Sequence, residues 1–191
     1  SRKTGEQEIS YTYDREGRVV KTDYGKGQIV TNEYDQADRL AKSTAGDVTT
    51  LYTYDLLDRI SVIQEQLPGD IEISVGYTYT PGGRKASVRL MKTEAGVVRT
   101  DVTTTYTYDV LGRVTGVYVN GLKKVIYGYT PGKLKVATKW YANGIRHEYS
   151  YDDDGRPAKV SAFHDEELVR GIAYKWNDQG QLVQREIYTG E

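Results

Sequence analysis

Five acidic residues, Asp14, Asp35, Asp55, Asp109 and Asp152, each stand directly behind an aromatic ring. Carboxylates carry much acid–base and metal chemistry, but these recur in the same surroundings, whereas an active site occurs once. A repeated carboxylate suits a turn cap, where it accepts hydrogen bonds from downstream amides. Asp152-Asp153-Asp154-Gly155 opens like a calcium loop, yet such a loop needs alternating ligands and a Glu at position twelve, where this chain has Phe163. The two histidines, His147 and His164, lack metal spacing, and there is no Gly-x-Ser-x-Gly elbow or phosphate loop. Zero cysteines exclude disulfides, thiol catalysis and Cys-based zinc sites. The expectation is a non-enzyme with no catalytic, cofactor or metal residues.

Binding chemistry has more candidates. An arginine recurs behind the turns at Arg18, Arg39, Arg59, Arg84, Arg113 and Arg156. Its stem can lie along a neighbouring Tyr face while its guanidinium pairs with an adjacent repeat's acid; a glycan-binding ladder is the sharper reading. Trp140, Tyr141 and Trp176 are candidate sugar-stacking rings, although such rings more often pack on the sheet. From Val110 to His147 there are seven bases and no acid, and from Glu148 to Glu167 seven acids and two bases. Cross-strand complementarity that fixes register explains this asymmetry. The alternative is an anion patch at Lys123, Lys124 and Lys135.

The elements that carry these residues are written as repeats. Tyr11-Thr12-Tyr13-Asp14, with Gly17-Arg18, returns as Tyr52-Thr53-Tyr54-Asp55 with Arg59. It returns again as Tyr106-Thr107-Tyr108-Asp109 with Gly112-Arg113, and as Tyr149-Ser150-Tyr151-Asp152 with Gly155-Arg156. Weaker copies raise the number to eight, with second-aromatic anchors at Tyr13, Tyr34, Tyr54, Tyr79, Tyr108, Tyr129, Tyr151 and Trp176, spaced by 20 to 29 residues. Alternating Tyr and Thr mark a half-exposed strand. The acid and the glycine that follows, replaced by Asp38 and Asp58 in two copies, mark a turn. Lys133 departs from this pattern, so the turn after Tyr129 is expected to use Gly132. A second strand and a second turn complete each repeat. The second turns are Gly25-Lys26-Gly27, Gly46-Asp47, Pro68-Gly69-Asp70, Ala95-Gly96, Asn120-Gly121 and Asn143-Gly144, and the two Asn-Gly pairs predict type I′ hairpins. About sixteen strands and no helical period make the fold all-β: tandem antiparallel hairpins in one array over residues 1–191, with no separate domain.

Composition agrees. The 191 residues are 38% apolar, below the roughly 45–50% of average chains. The 18 Tyr against one Phe and one Met place the apolar surface on rings that want one hydrogen-bonded end. That favours a thin layer over a thick core. A net charge of −1 gives no field for nucleic acid or anionic membranes, and no apolar run is long enough for a membrane-spanning helix.

Tyr-x-Tyr-Asp-x-x-Gly-Arg followed by an aliphatic residue, matched without departure from Tyr106 to Val114, resembles the RHS/YD-repeat family. That family includes bacterial rearrangement-hotspot proteins, shell subunits of insecticidal toxin complexes, wall-associated polymorphic toxins and animal teneurins. The resemblance covers residues 9–188. It implies a β-ribbon curving or spiralling into a hollow shell, a structural role in enclosing or displaying an effector, and a secreted or surface location in bacteria. Complete shells are several times longer and carry a C-terminal Asp-Pro-x-Gly site that is absent here, so the chain is expected to be an internal segment of a larger secreted or surface protein, or a shorter member of the family. Its expected partners are the rest of its own shell or an enclosed effector, with self-association through open sheet edges. A carbohydrate-binding or cell-surface adhesion module with exposed Tyr and Trp faces is the alternative from another class. A compact propeller, with two repeats to a blade, is a third reading.

Overall fold

The computed structural model describes residues 8–190; residues 1–7 and 191 lie outside it. The described residues form sixteen strands and no helix, so no helix is long and apolar enough to cross a membrane. In chain order the strands are β1 (Ser10–Tyr13), β2 (Val19–Asp23), β3 (Ile29–Tyr34), β4 (Leu40–Ala45), β5 (Val48–Tyr54), β6 (Ile60–Leu67), β7 (Ile71–Tyr79) and β8 (Lys85–Glu94). There follow β9 (Val97–Tyr108), β10 (Val114–Val119), β11 (Leu122–Tyr129), β12 (Val136–Tyr141), β13 (Ile145–Tyr151), β14 (Pro157–His164), β15 (Glu167–Trp176) and β16 (Leu182–Tyr188). Their order in the sheet is their order in the chain. The chain divides into two compact units between Thr103 and Thr104, with β9 running from one into the other.

In both units β1–β8 and β10–β16 touch only their chain neighbours. No hydrophobic side chain is buried among the described residues, and the buried polar residues are Thr22 and Ser161. A sheet with no covering layer cannot draw on a conventional core. Its apolar surface is instead half-covered by side chains of adjacent strands, the arrangement of a quasi-one-dimensional repeat array.

Residues paired directly across strands share a face. One face therefore carries the anchors and their i−2 partners, with Ile63, Val75 and Val88 opposite Tyr52, each other and Tyr77. The other face carries Thr53, Gln64, Ser74 and Arg89 among others.

Each repeat contains a bulge immediately before its anchor, and the β10–β11 and β14–β15 pairs carry a second, at Lys124 and Val169. The register shifts before the anchor in all eight hairpins, so Val20, Ala41, Ser61, Ala86, Thr115, Ala137, Ala158 and Val183 are left without an opposite residue. A bulge increases local twist and re-aims the neighbouring side chain; here that neighbour is the anchor ring.

The second turns differ among themselves. Asn120 and Gly121 both take positive φ between the paired Val119 and Leu122, a two-residue type I′ hairpin. At Asn143-Gly144 only the glycine does, and Gly144 N–H donates to Tyr141 O at 3.2 Å, so the expected type I′ turn is a longer one there. A further positive-φ pair, Asp165-Glu166, turns β14 into β15 without any glycine.

Candidate functional site

The most ordered chemistry in the molecule is the junction between one repeat's turn and the next repeat's anchor. In the first unit, Asp14 Oδ1 accepts the N–H of Glu16 at 3.1 Å and of Arg18 at 2.8 Å, while Oδ2 takes Arg18 Nε at 2.7 Å. One carboxylate thus caps the turn and holds the arginine. Asp35 with Arg39, and Asp55 with Arg59, repeat the geometry.

The guanidinium then lies over the following anchor: Arg18 is 4.7 Å from the Tyr34 centroid, Arg39 is 4.5 Å from Tyr54 and Arg59 is 4.2 Å from Tyr79. Those hydroxyls donate back to the carbonyl just after the arginine: Tyr34 to Val19 at 2.9 Å, Tyr54 to Leu40 at 2.8 Å and Tyr79 to Ile60 at 2.7 Å. The ring therefore meets both of its demands, an apolar body under a cation and a bonded polar tip.

The second unit does the same with substitutions. Arg113 and Arg156 sit on Asp109 and Asp152. Arg113 covers Tyr129 at 4.3 Å, and Arg156 reaches Trp176 at 6.0 Å. Tyr129, Tyr151 and Trp176 donate to Val114 O, Val136 O and Pro157 O at 2.7, 2.9 and 2.7 Å. The turn after Tyr129 has Gly132 at φ 68° and closes through Thr130 N–H to Lys135 O, one residue longer than the others. That insertion brings Lys135 into the arginine's place, 4.9 Å over Tyr151 and bonded to Gly155 O. The sequence signal is a base six residues past the anchor instead of five.

All five repeated carboxyls are held below the ordinary aspartate range. Desolvation works to raise Asp14 and Asp152, but bonds from their arginines outweigh it. The guanidinium bond is the main cause at Asp35 and Asp55, and the Arg113 backbone N–H at Asp109. Carboxylates held ionised by their own turns are positioned as caps and are poor proton shuttles. No group of three or more His, Cys, Asp or Glu fit for a metal occurs among the described residues.

The other candidate residues are placed as follows. Lys123 and Lys124 are exposed at the start of β11, where Lys123 pairs with Tyr118 and Lys124 is the unpaired residue of a bulge. Trp140 is 42% exposed but carries Arg146 at 4.8 Å from its ring, and the same guanidinium covers Phe163 at 4.6 Å while pairing with Glu148 and Glu166. Tyr141 meets His147 edge-on at 5.2 Å. Tyr11 and Tyr13, on the edge strand β1, are 54% and 57% exposed.

The chain is similar to the crystal structure of TcdB2-TccC3-TEV, with 13% identity, 95% of this chain and 12% of that chain covered, and a TM-score of 0.44. It is also similar to the Tc holotoxin pore of Photorhabdus luminescens, with 13% identity, 95% and 12% coverage, and a TM-score of 0.43. It spans only 12% of the length of those chains. No curated protein sequence matches it. The Teneurin YD-shell family model matches residues 2–188, which include every one of the eight turn-and-anchor repeats. The chain belongs to the teneurin YD-shell family of RHS/YD-repeat proteins, whose fold is a structural shell.

Proposed function

We propose that this segment is a non-catalytic piece of wall in a secreted or surface protein, and that the wall encloses or displays an effector module of the longer bacterial chain. The observation that carries this reading is the junction itself. The same Asp–cation–ring coupling, with the ring's donor returned to the preceding turn, recurs at Tyr34, Tyr54, Tyr129 and Trp176, and at Tyr79 with Asp55–Arg59 behind it. Chemistry repeated from one junction to the next stiffens a surface; it does not single out one position for a reaction. On this reading Asp14, Asp55, Asp109 and Asp152 cap turns, Gly17, Gly112 and Gly155 supply the positive φ, and Arg18, Arg59, Arg113 and Arg156 join consecutive repeats.

The test is protease challenge of the complete parent protein along a denaturant series. A segment outside the sheet should survive intact until the sheet's β signal is lost, then be cleaved over the same range. Cleavage of that segment in undenatured protein, with the sheet intact, overturns enclosure.

A further inference from the structure

One row of the tyrosine-bearing face breaks the pattern of all the others. The residue three past the one paired with the anchor is directly opposed by a residue of the next strand. In succession these pairs are Thr22–Val30, Ser43–Thr50, Ile63–Val75, Val117–Val125, Lys139–His147 and Val160–Ile172. Five are uncharged and mostly apolar. The sixth instead sets an ammonium directly opposite an imidazole, the one pair of the six with a charged member. Departures from a chain's own local rule are expected at functional or strained positions.

The surroundings show what the pair is equipped to hold. Lys139 is half-buried, with Nζ 5.8 Å from the Tyr127 centroid and 5.3 Å from that of Tyr149. His147 lies edge-on to Tyr141, and its Nδ1 is 3.5 Å from the Tyr149 hydroxyl. Burial works to lower Lys139, but the nearby phenolic oxygens of Tyr149, Tyr141 and Tyr127 outweigh it, so the ammonium is firmly charged. Among the described residues no carboxylate pairs with it. The carboxylates of β13 and β16, Glu148 and Glu186, fall on the opposite face by register. One further cation, Arg170, lies in the same row beyond Ala162.

Tyr149 also borders a cleft of about 450 Å³ on the same face, lined with Tyr151, Val160, Tyr174, Trp176 and Leu182. The lining is aromatic and aliphatic, and the volume falls within the range of ligand pockets. Tyr149 borders both, so the apolar cleft and an ammonium without a carboxylate partner lie side by side. A single ammonium beside a neutral imidazole and phenol hydroxyls matches a carboxylate better than a phosphate dianion, which calls for several cations.

We propose that this surface docks an extended peptide segment that seats an apolar side chain in the Tyr149–Trp176 cleft and a Glu or Asp carboxylate on Lys139. The cleft centres on β14, two strands from β12, roughly 10 Å at about 4.8 Å per strand. In the extended polyproline II conformation, with three residues to a turn at roughly 3.1 Å each, side chains three residues apart return to the same face about 9 Å apart, close to that span. The site does not require the sheet to enclose anything.

The test is nuclear magnetic resonance titration of the full chain with acetyl-Leu-Ser-Gly-Glu-amide and its Gln counterpart. The His147 ring and Trp176 indole signals report the two ends. The Glu peptide should move both saturably, and the Gln peptide should bind about fivefold more weakly. Lys139→Met should erase that difference while leaving the Trp176 shift, and Lys124→Met, on the exposed hairpin, should change nothing. Equal binding of the two peptides by the unsubstituted protein, or no saturable shift of either signal, overturns the proposal. A preference for Glu that survives Lys139→Met does so too.

Discussion

The two units build the same junction but end it on different acceptors. In the first, where Asp38 and Asp58 hold the positive-φ turn position at 62° and 60°, the outer nitrogen of the preceding arginine reaches that carboxylate: Arg18 to Asp38 at 2.5 Å, and Arg39 to Asp58. In the second, where Gly155 and Gly180 hold the position, the cation ends on backbone: Lys135 on Gly155 O and Arg156 on Asn177 O at 3.2 Å. Arg113 likewise ends on Lys133 O, at 2.6 Å. At 38 and 58 a side chain that strains its own backbone gives the first unit chains of alternating charge, though Gly83 fills the same position in its next turn. Glycine gives the second unit relaxed turns tied by charged hydrogen bonds to backbone. The repeat therefore conserves a geometry, a cation held above a ring, while the second anchor of that cation varies.

The largest effect should come from removing a ring. Tyr54→Ala and Tyr129→Ala each delete a half-buried side chain, a cation's resting face and a hydroxyl bond to the preceding repeat, at a cost of about 2 kcal/mol each. In a nearest-neighbour array the loss stays near the substitution. Hydrogen exchange should rise in β3–β6 for Tyr54→Ala and in β10–β12 for Tyr129→Ala. Equal loss of protection in both units from either substitution would show that the division at Thr103 has no energetic meaning.

How much of this was legible in the sequence follows from what each feature depends on. Strand number and turn positions were readable because Asp14, Gly17 and their counterparts act locally, through hydrogen bonds two and four residues away. The bulges were not, because an unpaired residue is defined by register with another strand; in retrospect the small residues Ala41, Ser61, Ala86, Ala137 and Ala158 mark them. The arginine was expected to pair with an adjacent repeat's acid. It binds its own repeat's acid first and reaches the next repeat's at Asp38 and Asp58, where an acid fills the positive-φ position. The Asp165-Glu166 hairpin escaped because it lacks the glycine on which turn recognition rests. The Lys139–His147 pair needed the register, since eight residues separate its members in the chain.

A smaller contrast concerns pH. The chain's two histidines both lie in the second unit. Burial, followed by the charge of Lys139, pushes His147 below its usual value. A base with a depressed folded-state pKa binds fewer protons folded than unfolded, so its linkage removes stability as pH falls from about 6.5 toward that lower value. The five aspartates carry the other sign of charge but the same trend. Their depressed values contribute stability above about 4 that is lost as pH drops through the folded-state values. Between pH 7 and 5, exchange protection should weaken in β12–β14 and hold in β3–β6, and His147→Gln should flatten the difference. Parallel weakening in both regions over that interval would assign the effect elsewhere.

The smallest change in stability should be the most diagnostic of the comparison. Asp38→Gly converts a first-unit turn to the second unit's type. It relieves the left-handed backbone of a non-glycine residue, worth roughly 1–2 kcal/mol, and gives up an exposed ion pair with Arg18, worth about 0.2–1 kcal/mol. It also loosens the unfolded chain, which costs roughly 0.5–1 kcal/mol. The sum lies near zero, so unfolding midpoints alone will not decide the matter. Salt will: the ion pair is exposed and therefore screened, whereas a hydrogen bond to a carbonyl has no partner charge to screen. The unsubstituted protein should lose first-unit protection between low and high ionic strength, with the Asp38→Gly, Asp58→Gly double variant losing less and Gly155→Asp bringing the same sensitivity into the second unit. If the double variant keeps the full salt dependence, the carboxylates at 38 and 58 are spectators, and the two units differ only in how their turns are spelled.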